Sequence, residues 1–302
     1  MLSFAIFEIC YSILDVIVKP THFSHGTAFI VIVTNSWLSR DTLLFLDGVY
    51  AGFFGSSLAL FSIHYIYRYL VSIGSQLLKS FNDWRIFFWF CIPLIYGFHW
   101  IYLTWVMCPP RNMTTEYVKD AVSASLGFTA DKLVYIGPYL YTIEDNGNVT
   151  VHLSDMLGAM SLSVGVSSSI FMILYFGVKC YRNLKNMMSH LESQRIRNLQ
   201  HPLFVALVIQ TLIPIVLMHI PSMIVFLAAF MNVSLGSLTG VMCITVALFP
   251  AIDPLPTMFI IEEYRRTILV SLKSPRNCFG WGGGSKTSNA TNSIAQKHVI
   301  AI

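Results

Sequence analysis

One apolar stretch, from Pro202 to Met231, constrains the fold of this chain more than any other feature. The polar side chains within it are only those of Gln210, Thr211, His219 and Ser222. A helix of about 20 apolar residues crosses a hydrocarbon core, so this stretch is long enough to span a membrane. A second apolar span, Gly236 to Ile261, follows after a short turn and contains a proline-rich segment around Asp253. Because lipid cannot satisfy the backbone groups that proline leaves unpaired, such a span must pack within a helical bundle.

The composition indicates a membrane protein with several spans. The 302 residues are 55% hydrophobic, 14% aromatic and 11% charged, whereas soluble domains contain about 25% charged residues. The six cysteines show neither the CxxC spacing of metal sites nor a disulfide framework. We therefore expect an all-α, polytopic helical bundle in a lipid bilayer, with no metal, no cofactor and no nucleic-acid partner.

The distribution of basic residues predicts the orientation of this bundle. Six apolar spans can be drawn: Leu2 to Val18, Leu43 to Tyr69, Trp84 to Met107, Met156 to Cys180, Pro202 to Met231 and Gly236 to Ile261. With the C-terminus placed in the cytoplasm, fourteen of the 19 lysines and arginines lie inside and five lie outside. Cytoplasmic loops carry such an excess of positive charge, so the pattern predicts a multi-pass protein with a cytoplasmic C-terminus.

The longest hydrophilic segment, Cys108 to Asp155, is predicted to be extracellular. It carries six acidic side chains against three basic ones, and it contains glycosylation sequons at Asn112 and Asn148. An acidic loop that can be glycosylated is typical of the outer face. The run from Asp145 to Asn148 reads Asp-Asn-Gly-Asn, which predicts a turn.

The two ends of the chain differ from the bundle between them. Residues 269–302 are rich in Gly, Ser, Asn and Lys, which predicts a disordered cytoplasmic tail after a transmembrane bundle over residues 1–268. At the other end, a cleaved signal peptide is the alternative to a first span. Glu8 and Asp15 interrupt the apolar run, however, and no basic segment precedes it.

Five sequence blocks in order resemble one family of membrane receptors. They are FEICYSILDV (Phe7 to Val16), FSIHYIYRYL (Phe61 to Leu70), IPLIYG (Ile92 to Gly97), YIGPYLY (Tyr135 to Tyr141), and the IPIVLMHIP run followed by ITVALFPAIDPLPTMFIIEEYRR (Ile213 to Arg266). These blocks resemble the nematode seven-helix chemoreceptors of serpentine receptor class r, the Str family. The resemblance implies a chemosensory (olfactory-type) G-protein-coupled receptor rather than an enzyme. It further implies a small odorant or soluble chemical as stimulus, a heterotrimeric G protein as partner, and the plasma membrane, including the sensory cilium, as location.

The resemblance aligns FEICYSILDV with the second helix of the family. We therefore expect the chain to hold family helices two to seven and to lack the first, which leaves a truncated, non-signalling receptor fragment as an open alternative. A six-span transporter is a second alternative, but it predicts internal repeats and none is visible. An intramembrane aspartyl protease would need a Gly-x-Gly-Asp context, which neither Asp47 nor Asp253 offers.

The resemblance also implies residues for switching and G-protein coupling. Arg68 matches the arginine that other seven-helix receptors place at the cytoplasmic end of their third helix, although Tyr67 replaces the usual acidic neighbour. Asp253 and Pro254 resemble the Asn/Asp-Pro pair of the seventh helix, with Thr257 where a tyrosine is usual. The structural alternatives are a snorkelling arginine and a simple proline kink. The implied hinges and coupling face are Pro214, Pro221, Pro254, Arg68, the Lys179 to Gln200 loop, Arg265 and Arg266.

Aromatic residues in the outer halves of the spans and in the long loop are candidates for binding a small ligand. They are Tyr50, Phe53, Phe54, Trp100, Tyr102, Trp105, Tyr139 and Tyr141. Aromatic rings at this depth also form the ordinary interfacial belt, which is the alternative interpretation. Ala51 stands where such receptors often have a cysteine, so no partner is expected for Cys108.

Other polar residues within the apolar spans have a functional and a structural interpretation. Glu8 and Asp15 are two helical turns apart and share a face, so they either point into the bundle or lie near a membrane edge. The histidines at positions 64, 99 and 219 are each isolated among apolar residues. We interpret these histidines as hydrogen-bonded core residues rather than as ligand contacts.

Overall fold

A computed structural model places helices over all six apolar spans. The structure describes residues 2–34, 37–129, 133–144, 146–189, 194–260 and 265–266, so the predicted tail and part of the Lys179 to Gln200 loop lie outside the described residues. The helices are α1 (Leu2–Val18), α2 (Arg40–Ser72), α3 (Ile86–Tyr102), α4 (Asn112–Leu126), α5 (Leu153–Ser189), α6 (Gln194–Pro214), α7 (Ile220–Phe230), α8 (Thr239–Ile252) and α9 (Leu255–Ile260). Short 3-10 turns occur at Gln76–Phe81, Asp83–Arg85 and Gly236–Leu238.

Four described helices are long and apolar enough to cross a membrane by length and composition alone. They are Arg40–Ser72, Ile86–Met107, Leu153–Asn186 and Pro202–Phe230. The first predicted span forms a helix of 17 residues. The sixth is divided into α8, of 14 residues, and α9, of 6 residues, which are separated at Asp253 and Pro254. The chain is thus a membrane helical bundle, as the sequence predicts.

Wide helical turns of the π type extend α3 and join α6 to α7. The first occupies Leu103–Met107, and the second, Ile215–His219, lies between Pro214 and Pro221. At the end of the second turn the Ile220 N–H donates to the Ile215 carbonyl, five residues back. Proline has no N–H to donate to the preceding turn, so the two prolines favour this local change of pitch.

The long helix α2 lies at the centre of the bundle, where it contacts α1, α3, α5 and α6. Its approach to α3 is close because both helices present glycine at the crossing. A Cβ atom at Gly97 would lie 2.6 Å from Ser56 Oγ and 3.3 Å from the Gly52 carbonyl oxygen. Ser56 Oγ also donates across the interface to the Pro93 carbonyl at 2.9 Å. Small residues and hydroxyls at helix crossings are the usual way in which membrane helices pack together.

A small antiparallel sheet covers one end of the bundle, and the sequence interpretation did not anticipate it. The sheet has the order β1 (Pro20–His25), β2 (Ala28–Val33) and β3 (Tyr135–Ile136). A second pair, β4 (Tyr141–Ile143) and β5 (Val149–Val151), forms a hairpin. Its connection contains Gly147 at φ 83°, and the Gly147 N–H donates to the Glu144 carbonyl, which confirms the predicted turn.

The two faces of the sheet pack against different partners. Side chains alternate along a strand, so Ile30 and Ile32 share one face, where they form a core with Val118 of α4. Val33 lies on the opposite face and packs into the core of the helical bundle. The sheet and α4, which we call the cap, therefore form a small folded unit seated on the bundle.

An ion pair and several hydrogen bonds join the cap to the bundle. Arg111 pairs with Asp155 at the start of α5 and also donates to the Met107 carbonyl at 2.8 Å. The Asp155 side chain is 1% exposed, so its charge depends on this partner. The other ion pair within the described residues, Glu116 with Lys119, is on the surface of α4.

Strand β1 contacts α8 through a buried histidine. The His22 N–H donates to Cys243 Sγ at 3.2 Å, and the imidazole is stacked 6.1 Å from the Phe29 ring. Burial lowers the pKa of His22 from 6.5 to about 4. Since protonation then favours the unfolded cap, the stability of the cap is full above about pH 6.5 and falls as the pH is lowered towards 4.

Candidate functional site

The structure brings together four of the eight candidate ligand-binding aromatics. Tyr50, Phe54 and Trp100 pack in the core near the cap, and Phe53 lies beside them. The Phe54 ring is 5.3 Å from Trp100 and 4.8 Å from the His219 ring on the π turn. These side chains come from α2, α3 and the α6–α7 connection, so they occupy the interior of the bundle.

The other four aromatics lie elsewhere. Tyr102 is 57% exposed on the outer surface of α3. Trp105 also faces outward, with its ring 5.4 Å from Phe45 and its indole N–H donating to the Leu44 carbonyl at 3.3 Å. These two positions agree with the interfacial-belt interpretation rather than with an interior site.

The two tyrosines of the long loop belong to the cap. Tyr139 stacks on Tyr117 of α4 at 4.5 Å and contributes to the core of the cap. The Tyr141 hydroxyl donates at 2.9 Å to the carbonyl of Phe230, the last residue of α7. Both side chains hold the cap together or attach it to the bundle, and neither reaches the core cluster that contains Tyr50.

A group of polar residues lies against the interior aromatics, and sequence reasoning did not identify it as a site. Tyr11 of α1 is fully buried and stacks on Tyr50, with ring centroids 5.1 Å apart and an interplanar angle of 17°. Asp15 and Asp47 are both electrostatic neighbours of the Tyr50 hydroxyl. We call these four residues, Tyr11, Asp15, Asp47 and Tyr50, the Tyr50 cluster.

Polar atoms of the Tyr50 cluster lack hydrogen-bond partners. Asp47 is fully buried, and neither of its carboxylate oxygens is hydrogen-bonded to any residue that the structure describes. The Tyr11 and Tyr50 hydroxyls approach each other but do not meet hydrogen-bond geometry. Outside the cluster, the Trp100 indole N–H beside Gly55 also has no hydrogen-bond partner within the described residues. Buried polar groups are nearly always satisfied in folded proteins, so these exceptions single out the Tyr50 cluster as the candidate site.

The Tyr50 cluster lies in the half of the bundle nearest the cap. Helix α1 ends and α2 begins at that end, since β1 and β2 connect them. Asp15 is within one turn of the end of α1, and Asp47 is about 10 Å from the start of α2 at 1.5 Å per residue. On the bundle side, Val33 of the sheet packs into the same core cluster as Tyr50.

About one helical turn farther from the cap than the Tyr50 cluster, Asp253 and Glu8 face each other. Asp253 is fully buried, its carboxylate oxygens have no hydrogen-bond partner among the described residues, and Glu8 is the acidic group beside it. The Gln210 side chain donates to the backbone carbonyl of Asp253 at 3.5 Å. Both acids of α1 thus point inward, Glu8 towards Asp253 and Asp15 towards Tyr50.

The basic residues of the implied coupling face lie near the Asp253 end. Arg68 is half-buried on the last turns of α2, with its guanidinium 5.9 Å from the Tyr67 ring. Neither of the two ion pairs within the described residues includes Arg68. This agrees with the sequence, in which Tyr67 replaces the acidic residue that usually precedes this arginine. Arg265 and Arg266 are helical and exposed.

The isolated histidines and the loop cysteine have structural environments. His219 Nδ1 is 3.1 Å from the Pro214 carbonyl, and His99 Nε2 is 3.1 Å from Ser161 Oγ. These contacts support the interpretation of both as hydrogen-bonded core residues. Cys108 is a buried free thiol, and burial raises its pKa to about 12, so it is a poor nucleophile.

Comparisons with known proteins identify the family of this chain. Residues 1–269 match the model of the family described as "Serpentine type 7TM GPCR chemoreceptor Str". The chain is 32% identical to "G-protein coupled receptor str-217" of Caenorhabditis elegans, across 97% of the chain and 87% of that relative. It is 28% identical to "Serpentine receptor class r-10" of Caenorhabditis briggsae, across 89% of the chain and 78% of that relative. The proteins of this family are receptors and not enzymes, and the chain belongs to the Str family of serpentine G-protein-coupled chemoreceptors.

Proposed function

We propose that the stimulus of this chemoreceptor is a small organic molecule, which binds in the half of the bundle nearest the cap. The observation that carries the proposal is the buried cluster of Tyr50, Phe54 and Trp100 beside unpaired polar atoms. Small-molecule sites are mostly apolar and aromatic, with a few polar groups that fix the orientation of the ligand. Membership of a chemoreceptor family supports a chemical ligand over a transported solute.

The proposed path from ligand to switch runs through Phe54 and His219. The Phe54 ring touches both Trp100 and His219, and His219 is hydrogen-bonded to Pro214 at the start of the π turn. A ligand that moves the Phe54 ring therefore acts on the connection between Pro214 and Pro221. Such a ligand shifts the receptor between two packings only by its difference in affinity for them.

The proposed signalling face is the end of the bundle that contains Asp253. Arg68, Arg265 and Arg266 lie at this end, and the excess of basic residues in its loops supports a cytoplasmic location. We place the receptor in the plasma membrane, including the sensory cilium, with a heterotrimeric G protein as its cytoplasmic partner. The cap, with its sequons, is then extracellular.

The ligand site is tested by expressing the receptor with a promiscuous G protein and recording calcium responses to a panel of small odorants. Phe54→Ala should raise the half-maximal concentration of an active odorant about tenfold, because an aromatic contact of about 1.4 kcal/mol is lost. Phe45→Ala is the matched control, since Phe45 lies on the same helix but is 54% exposed. Equal shifts in the two variants, at equal surface expression, would argue against an interior site.

The switch is tested separately with Asp253→Ala. If the buried carboxylate acts in switching, this variant should reach the cell surface at near-normal levels and lose its odorant response. Asp41→Ala, which removes an exposed acid from the first turn of α2, is the control. Parallel losses of surface expression and response in Asp253→Ala would indicate a purely structural role.

A further inference from the structure

Two carboxylates in the Tyr50 cluster are not neutralised by any base within the described residues. Asp47 is fully buried without a hydrogen-bond donor, and Asp15 is half-buried beside the same tyrosine. The ion pairs of the described chain lie in the cap, away from these acids. The bases nearest in sequence, Lys19 and Arg40, are exposed at the helix ends.

The histidine closest to this end of the bundle does not supply the missing charge. His22 reaches α8 at Cys243, and burial lowers its pKa to about 4, so its imidazole is neutral near physiological pH. A buried carboxylate without a counter-charge is destabilising by several kcal/mol, and removal from water makes its attraction for a cation strong. The cluster therefore has the charge to bind a positively charged group that the described part of the chain does not provide.

The surroundings favour an organic cation over a metal ion. Within the described residues, no three His, Cys, Asp or Glu side chains are grouped so that they could hold a metal. Aromatic rings surround the site instead, since Tyr11 stacks on Tyr50 and meets the Phe249 ring edge-on at 6.0 Å. Ring faces attract ammonium groups within about 6 Å of the centroid, and carboxylate and phenol oxygens accept the ammonium hydrogens.

We infer that the Tyr50 cluster receives the protonated amine of a small organic ligand, with Asp47 and Asp15 as the counter-charge. This inference rests on the proposed function, because it names the chemical class of the stimulus. The apolar part of the ligand lies against Phe54 and Trp100. An alkylamine has a pKa near that of lysine, about 10.4, so it is charged at neutral pH.

The test compares amines with alcohols of the same shape on the purified receptor in nanodiscs. The pairs are isoamylamine with isoamyl alcohol, and phenethylamine with phenethyl alcohol, and binding is read as an increase in melting temperature over a concentration series. At least one amine should bind about tenfold or more tightly than its alcohol, as expected for a charge-assisted hydrogen bond. Equal affinities within both pairs, or no binding by either amine, would overturn the inference.

Variants then locate the charge. Asp47→Asn should weaken amine binding by about 10- to 100-fold and leave alcohol binding unchanged, because it removes the charge and keeps the shape. Tyr50→Phe keeps the ring stacked on Tyr11 and should weaken the amine less. Asp41→Asn, an exposed acid on the same helix, is the control and should have no effect. Undiminished amine binding in Asp47→Asn and in the matching Asp15→Asn variant would overturn the assignment.

Two further outcomes separate this inference from the proposed function. Stabilisation by sodium chloride over potassium chloride, with no effect of either amine, would identify an inorganic cation and refute an amine site. Amine binding in nanodiscs without any cellular response would keep the inference and refute the signalling role. A cellular response to alcohols that requires Phe54, with no amine binding, would refute the inference and keep the proposed function.

Discussion

The glycine contact between α2 and α3 gives a sharp prediction about stability. A Cβ atom added at Gly52 would lie 2.7 Å from Ile101 Cγ1 and 3.1 Å from the Gly97 carbonyl oxygen. The isoleucine side chain has room to adjust only by rotation, and the carbonyl belongs to the α3 backbone, so the two helices must separate. We therefore expect Gly52→Ala to destabilise the bundle.

The size of the effect follows from two opposing contributions. Overpacking of a tight core costs about 1–3 kcal/mol, and alanine recovers up to about 1 kcal/mol of helix propensity relative to glycine. With the full recovery counted, the net loss is up to about 2 kcal/mol, which corresponds to a fall in melting temperature of up to several degrees, at about 2–4 °C per kcal/mol.

Thermal unfolding of the detergent-solubilised receptor measures this change. A thiol-reactive dye reports unfolding as Cys108 and Cys180, each 1% exposed, become accessible. Gly165→Ala on α5 is the matched control, because its Cβ would meet nothing closer than 3.9 Å and should stabilise the helix slightly. A Gly52→Ala protein as stable as the Gly165→Ala protein would refute the close-packing argument.

The remaining predictions concern the cap. Arg111→Met should lower the free energy of unfolding by about 1.5–3 kcal/mol because it leaves the buried Asp155 carboxylate without its counter-charge, with only the Tyr139 N–H as a donor. Lys119→Met, which removes only a surface ion pair, should leave the melting temperature almost unchanged. Protection of the cap amides in hydrogen exchange should fall between about pH 6.5 and pH 4 in the native chain and not in a His22→Gln variant. Asn112 and Asn148 are exposed and should be glycosylated in microsomes, and a variant lacking both sequons should lose that modification.

The positions of the apolar helices, although not of α4 in the long loop, could be predicted from the sequence because bilayer thickness requires long apolar runs. The predicted span Leu2 to Val18 has the same bounds as α1, and the division of the last span at Asp253 and Pro254 follows from proline chemistry. These are local properties of the chain, so a single sequence is enough to identify them.

The sheet of the cap could not be identified in the same way. Its strand β2 is a short run of β-branched residues between two membrane spans, which resembles the end of a helix in composition. Its pairing is also non-local, since Val31 pairs with Ile136 and Ile32 with Tyr135. The sequence signal for this strand was the run of four β-branched residues from Ile30 to Val33, which follows the turn at Gly26.

The candidate site was predicted in part, and the reason lies in helix packing. Tyr50, Phe54 and Trp100 were identified by depth and residue type, but the same criteria also selected Tyr102 and Trp105, which face outward. Residue type does not reveal which face of a helix is turned inward. Asp47 was missed as a binding residue, although a charge within a membrane span is itself a signal of function.

The arrangement of residues on α2 explains how the fold positions this site. Gly48, Gly52 and Gly55 recur at helical spacing and form one stripe, which faces α3. Asp47 and Tyr50, with Phe54 beyond them, form a second stripe that is turned towards the other helices. The α3-side residues Trp105, Ile101 and Trp100 lie directly against Gly48, Gly52 and Gly55, so close contact fixes the position of the α2 backbone. That contact in turn fixes where the carboxylate and the aromatic rings of the second stripe lie, and Gly55 also packs directly against Trp100 of the candidate site.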